Sequence, residues 1–293
     1  MKKSTYYIII TFSVILISAA LSSCKKSISI DLPKSTNKPV LNALIVDGKT
    51  IEVRVTMSKW LAINERYMLL SNAKVQLYEN DIFKETLDTA TISGRKCFSS
   101  KMTARKNNTY KIVVNVAGYP QIEAEDQVPD MSQIEVKNLA QAETNSTSGG
   151  KFRFDFSIRN NGPATVYYRI RILNNFESFT GKKLAKPGPL DFYNNKVSQP
   201  IDYKEIYNQW LDVNPQLAAS SASYSLSTTY VPKGPNTLEV SVLSQRTFKY
   251  LQSSDKALEL RDDFTSEKVI IFGNVKNGYG IVGGLATAEF PFK

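Results

Sequence analysis

Apolar and polar residues alternate with a period of two along most of this chain. Ile51, Val53, Val55 and Met57 are separated by Glu52, Arg54 and Thr56; Ala73, Val75 and Leu77 flank Lys74 and Gln76; Tyr110, Ile112, Val114 and Val116 share one face of another segment. That spacing puts the apolar set on one side of a pleated strand and the charges in water. Asp47-Gly48, Asn80-Asp81, Ser93-Gly94, Asn107-Asn108 and Gly118-Tyr119-Pro120 punctuate these runs with residues that tolerate positive φ or preset a turn. Roughly seven strands over residues 39–129 predict an immunoglobulin-like β-sandwich.

Beyond Pro129 the pattern predicts a larger β-rich (α+β) domain over residues 130–293, so the expected fold class is mainly β. Ile134, Val136 and Leu139 read as a strand, and Gln141 to Gly150 as a linker or long loop. Phe152, Phe154, Phe156 and Ile158 alternate with charges, as do Val166, Tyr168, Ile170 and Ile172, with Asn160-Asn161-Gly162-Pro163 as the hairpin loop between them. Leu238, Val240 and Val242, then Val269 to Phe272 and Tyr279 to Val282, complete a mostly antiparallel sheet. One or two short helices interrupt it, near Tyr203 to Leu211 and Gln245 to Leu260, the latter with Phe248, Leu251 and Leu258 at helix-compatible spacing.

The first 23 residues follow a different logic. Lys2 and Lys3 precede an uncharged run of 21 residues, Ser4 to Cys24, that ends in Leu21-Ser22-Ser23-Cys24. A positive start, an apolar middle and small residues directly before a cysteine are the parts of a lipoprotein signal peptide, with Cys24 as the lipidated residue. The competing reading is an uncleaved transmembrane span; Ser13, Ser18, Ser22 and Ser23 weigh against it. Residues 24–38 are short, polar and broken by Pro33, as expected of a tether.

Composition removes whole classes of activity. The chain has no histidine and two cysteines, so once Cys24 is lipidated only Cys97 is left, without a partner for an intrachain disulfide. Serine, histidine and aspartate triads and His-ligated zinc are ruled out; no metal and no cofactor is expected. Cys97, after Lys96 and before Phe98, reads as a strand residue. Removal of Lys2 and Lys3 lowers the formal charge from +10 to +8, a mild excess that suits anionic lipid headgroups or lipopolysaccharide phosphates and is also common by chance. The cations are scattered and no DNA-binding motif accompanies them, so nucleic acid is not expected as a partner.

Four segments occur in order behind Cys24: Ile28-Ser29-Ile30-Asp31-Leu32-Pro33 with Pro39-Val40-Leu41-Asn42-Ala43; Ser71 to Leu77; Tyr110 to Val114 with Gly118-Tyr119, Ala124 and Val128-Pro129; and Asn274-Val275-Lys276-Asn277-Gly278-Tyr279-Gly280-Ile281-Val282-Gly283. Together they resemble the lipoproteins grouped as domain of unknown function 4249, from Gram-negative bacteria with TonB-driven outer-membrane receptors. The chain departs from that pattern at Val282, where Phe is usual, and before Phe264, where Pro is. The resemblance implies a non-catalytic accessory lipoprotein of the outer membrane, with a TonB-dependent receptor as partner and no catalytic residues to carry over. Lys25-Lys26-Ser27 after Cys24, with no acid before Asp31, favours the periplasmic face over the cell surface. A structural or adhesive envelope protein, and a carboxylate-dependent glycan or peptide hydrolase, are the alternatives.

The remaining motifs weigh towards structure. Gly278-Tyr279-Gly280-Ile281-Val282-Gly283 has dinucleotide-site spacing but too little chain after it for that fold, so a glycine-rich strand is expected. Ser71 with Lys74, and Ser253 with Lys256, match a serine–lysine pattern without its companion motifs. The carboxylates Asp262-Asp263, Glu123-Glu125-Asp126 and Asp202-Glu205 lack calcium-loop spacing and read as solvated turns. Asp88-Thr89-Ala90 resembles an O-glycosylation signal of such bacteria, with Thr89 as acceptor. Trp60, Tyr67, Tyr193, Tyr203, Tyr207 and Trp210 fall in or beside irregular segments and read mostly as core or domain-interface residues; the loops from Phe176 to Trp210 are the candidate ligand or partner surface, with the ligand-binding residues unassigned.

Overall fold

Alternation becomes pleat as the pattern requires. In β1 (Pro39–Val46) and β2 (Thr50–Met57), Leu41, Ala43, Ile45, Ile51, Val53 and Val55 are buried, while the residues between them point the other way. Gly48 adopts φ 72° in the turn between the two strands, and positive φ recurs at Asn80, Asp81, Ser93, Gly94, Asn107 and Gly118 in the expected turns. The computed structural model describes residues 37–59, 67–143, 152–163, 165–175, 188–194, 208–214, 221–228, 234–261 and 267–292. The protein is mainly β.

Six more strands complete the first half: β3 (Lys74–Glu79), β4 (Ile82–Thr86), β5 (Asp88–Ile92), β6 (Arg95–Thr103), β7 (Thr109–Asn115) and β8 (Ile122–Gln127). The second half contributes β9 (Ile134–Glu143), β10 (Phe152–Asn160), β11 (Val166–Asn174), β12 (Gly188–Pro189), β13 (Tyr193–Asn194), β14 (Trp210–Asn214), β15 (Ser221–Thr228), β16 (Asn236–Leu243) and β17 (Tyr279–Pro291). One sheet of nine strands runs β12-β11-β16-β17-β1-β2-β6-β5, with β14 also on β11. Two four-stranded sheets, β4-β3-β7-β8 and β13-β15-β10-β9, accompany it.

Each small sheet shares a core with one half of the large one. Leu41, Ile45, Val53 and Phe98 meet Val75, Leu77, Ile112 and Ile122 in the first core; Tyr168, Ile170, Leu238 and Val240 meet Phe154, Phe156, Tyr224 and Leu226 in the second. The expected boundary near Pro129 separates β8 from β9 along the chain, yet β17 serves both sides. It pairs parallel with β1, from Val40↔Tyr279 to Val46↔Leu285, and antiparallel with β16, from Thr237↔Pro291 to Leu243↔Leu285. Val282 enters the first core; Phe290 and Phe292 enter or pack against the second.

Three local expectations are corrected. Asn160-Asn161-Gly162-Pro163 does not close a hairpin, because β10 pairs with β9 and β15 whereas β11 pairs with β12, β14 and β16. Buried Asn160 accepts a hydrogen bond from the Gly162 amide at 2.9 Å, a local turn that carries the chain from one sheet to the other. Val269 to Phe272 forms no strand; the Phe272 N–H donates to Ser253 Oγ at 2.9 Å. Trp210 and Leu211, expected to end a helix, lie in β14; residues 203–207 lie outside the described residues.

The helix expected near Gln245 is present as α1 (Gln245–Glu259). Ser244 caps it, accepting from the Thr247 amide at 3.0 Å. Its Phe248 packs against Leu243, Leu285, Tyr167 and Leu251 on the outer face of the large sheet. Among the described residues no helix is long and apolar enough to cross a membrane.

Candidate functional site

The outer face of the large sheet carries a groove of about 960 Å³ beside α1. Strand alternation builds its floor: residues that do not face the first core, Val40 and Asn42 on β1, Arg54 and Thr56 on β2, lie in register as Val40↔Thr56 and Asn42↔Arg54. Gly280 on β17 continues the floor. Tyr250 of α1 and residues 270–273 form one wall, and Ser58, Lys59 and Tyr67 close the end beyond β2.

Apolar residues that ought to be inside are outside here. Ile270 is 90% exposed, Tyr67 59% and Tyr279 50%, with Met68 beside the groove at 73%. A contiguous apolar surface of this kind marks a binding face more than a defect of folding. Its charge is one-sided among the described residues: Arg54 and Lys59 line it, and no described Asp or Glu does. Lys38 Nζ sits 5.4 Å from the Tyr279 ring centroid and Lys59 Nζ 5.7 Å from that of Tyr67, so two cations lie over two aromatic faces.

Sequence reasoning singled out Tyr67 but took Val269 to Phe272 for a buried strand and so missed the wall. Four apolar residues in a row have no alternation to separate an inner from an outer side, and the run fits either placement. The loops from Phe176 to Trp210 lie largely outside the described residues, as do Trp60, Tyr203 and Tyr207. Tyr193 is described only as backbone in β13, and Trp210 packs against the second core.

The other candidates resolve into architecture. Gly280 has φ 110°, and a Cβ there would collide with the Leu41 carbonyl oxygen; one at Gly284 would meet the Gln127 carbonyl. The glycines therefore let β17 approach β1 and β8 backbone to backbone. Asn274 accepts from the Val282 amide at 3.0 Å and donates to the Val282 carbonyl at 2.9 Å, replacing a neighbouring strand along that edge of β17. Lys276 N–H donates to the Glu123 carbonyl at 2.9 Å and Asn277 Nδ2 to that of Gln121 at 3.1 Å, stapling the same segment to β8.

Carboxylates are engaged in the same way. Glu123 accepts from Lys276 Nζ at 2.7 Å, which raises the lysine's pKa, and the Glu125 carbonyl accepts from Arg246 at 2.6 Å. Asp126 is buried, accepting from the Ser244 hydroxyl and, at 2.9 Å, from the Gly284 amide. Burial pushes its pKa up, and those two hydrogen bonds oppose the shift. Asp202, Glu205, Asp262 and Asp263 lie outside the described residues. Among the described residues no three metal-ligating side chains cluster.

Ser253, of the serine–lysine pattern, donates to the Tyr250 carbonyl at 3.0 Å besides accepting from Phe272. Cys97 is buried, and burial raises its thiol pKa. Thr89 lies exposed on β5, at the end of the large sheet. Cys24 lies outside the described residues.

No family model matches the chain, and no curated protein matches it. Among solved structures it is similar to a DUF4785 family protein from Legionella pneumophila subsp. pneumophila str. Philadelphia 1, at 7% identity and a TM-score of 0.24 over 70% of this chain. The match covers 52% of that protein, so this chain spans about half its length.

Proposed function

We propose that the chain is a non-catalytic binding lipoprotein of the outer membrane, anchored through Cys24, and that the groove beside α1 is its binding surface. The observation that carries this reading is the groove whose described lining holds cations and no acid, where exposed Ile270, Tyr67 and Tyr279 stand next to Arg54, Lys38 and Lys59. Such a surface suits an amphipathic partner that is apolar in one part and anionic in another. The engaged carboxylates Glu123, Asp126 and Glu239 support a binding role over hydrolysis.

The resemblance to the domain of unknown function 4249 lipoproteins adds a place of work: an accessory beside a TonB-dependent receptor, on the periplasmic face. Affinity purification of the full chain from gently solubilised outer membranes tests it. A TonB-dependent receptor that co-purifies with the native chain supports the proposal. Intact mass showing an unmodified Cys24, or a chain that stays soluble on fractionation, refutes it.

A further inference from the structure

The groove lies where the chain enters the fold. Lys38 N–H donates to Ser58 Oγ at 2.8 Å and the Ser58 amide donates to the Lys38 carbonyl at 2.9 Å, so Lys38, at the start of the described fold, is fastened to the groove's own rim. Thirteen residue steps separate Cys24 from Asn37. A chain of that length reaches at most roughly 45 Å when fully extended.

We propose that the groove face docks on the anionic headgroup layer of the bilayer that holds the lipidated Cys24, laying the large sheet's outer face against the membrane. This rests on the lipid-anchored reading above and names the partner of the same site. Three observations converge on it. The wall residues Ile270 and Ile271 and the aromatics Tyr67 and Tyr279 are exposed, as side chains that enter a headgroup region must be. Among the described residues, the charged side chains at the groove, Lys38, Arg54 and Lys59, are all positive. The tether then supplies the concentration: an intramolecular encounter over so short a span converts a weak surface affinity into a populated docked state.

The geometry also sorts the side chains by depth. Tyrosine rings with a cation over the face are amphipathic bodies that rest at the water–hydrocarbon boundary, while the Ile270-Ile271 pair is the part without polar atoms in its side chains and enters deepest. Arg54 and Lys38 then meet lipid phosphates, and each cation near an anionic surface strengthens the association roughly fivefold.

The test uses the full, lipidated chain reconstituted into vesicles of phosphatidylglycerol and phosphatidylcholine in equal parts, with a quencher on the acyl chains. An environment-sensitive dye is placed at Ile270→Cys, at Met68→Cys as a second position on the face, and at Thr89→Cys on β5 as the reference; buried Cys97 stays as it is. Docking predicts quenching several-fold stronger at 270 and 68 than at 89, weakened by high salt, by pure phosphatidylcholine, and roughly fivefold or more by Lys38→Glu with Arg54→Glu. An unchanged melting temperature shows that the charge variants fold. Equal quenching at all three positions, or quenching indifferent to lipid charge, overturns docking. Intact mass of the same sample reads the anchor separately: an unmodified Cys24 overturns the lipoprotein reading, and a lipidated chain whose position 270 stays in water overturns docking alone.

Discussion

Asp126, in β8 of a small sheet, accepts a hydrogen bond from Ser244, the N-cap of α1, and so one buried carboxylate joins a strand of the first half to the helix of the second. Arg246 Nη1 stands 3.9 Å from the same carboxylate and Gly284 N–H donates to it from β17, so Asp126 on β8 is a common acceptor for the cap of α1 and for β17.

Asp126→Ala leaves the Gly284 amide and the Ser244 hydroxyl without that acceptor in a buried setting, at a cost of about 2 kcal/mol. Asp126→Asn retains an acceptor oxygen and costs less. Because the native carboxyl is harder to ionise than in the unfolded chain, the native state holds its proton more tightly, and this group's contribution to stability falls as pH rises through the native pKa. Denaturant midpoints of wild type and Asp126→Asn are therefore expected to separate in favour of wild type as the pH is lowered from neutral towards the ordinary carboxylate range.

Gly280→Ala combines a positive φ with a collision against the Leu41 carbonyl, and its expected cost is about 3 kcal/mol. Gly48→Ala, also at positive φ but with open space around it, is expected to cost about 1 kcal/mol. Chemical denaturation of the two variants separates close approach from turn strain; equal losses would remove the backbone-contact explanation.

Glu239 is buried against two arginines, accepting from Arg171 Nε at 2.7 Å and from Arg169 at 3.4 Å. Burial, with Arg171 beside it, brings the Arg169 pKa down to about 10. Glu239→Ala leaves both cations without their carboxylate and is expected to cost about 3–5 kcal/mol. Arg171→Ala, at the more exposed member, should cost less in the same thermal melts.

Thr89 is exposed on the last strand of the sheet, open to a modifying enzyme. In the native host the chain is expected to carry a glycan mass that Thr89→Ala abolishes. An intact mass equal to the lipidated polypeptide in both would dispose of that modification.

Legibility followed the range of the interactions involved. The inward faces of β1, β2, β3 and β7 were readable because a side chain's direction alternates with each residue, a local fact. The turns at Gly48, Asn80 and Gly94 were readable because positive φ is a property of single residues. Pairing was not: Phe156 and Tyr168 look like neighbours across a hairpin, yet they sit in different sheets and meet only in the second core. Tyr224 shows the same thing, since its hydroxyl donates to Asp212 on β14 at 2.5 Å, a link from one sheet to the other that no spacing announces.

By itself the sequence determined a β-rich chain, the outward and inward sets of its strands and the helix after Ser244, because each depends on residues close together in the chain. Tertiary structure alone decided that the last strand lies between the first strand and the sixteenth, that Asp126 meets Ser244, and that Ile270 and Ile271 are left uncovered by the rest of the fold beside Arg54 and Tyr279. The physical reason is that sheet neighbours are chosen by the burial and backbone bonding of the whole set at once, and an apolar run left over from that choice is recognised only after every other surface has found its place.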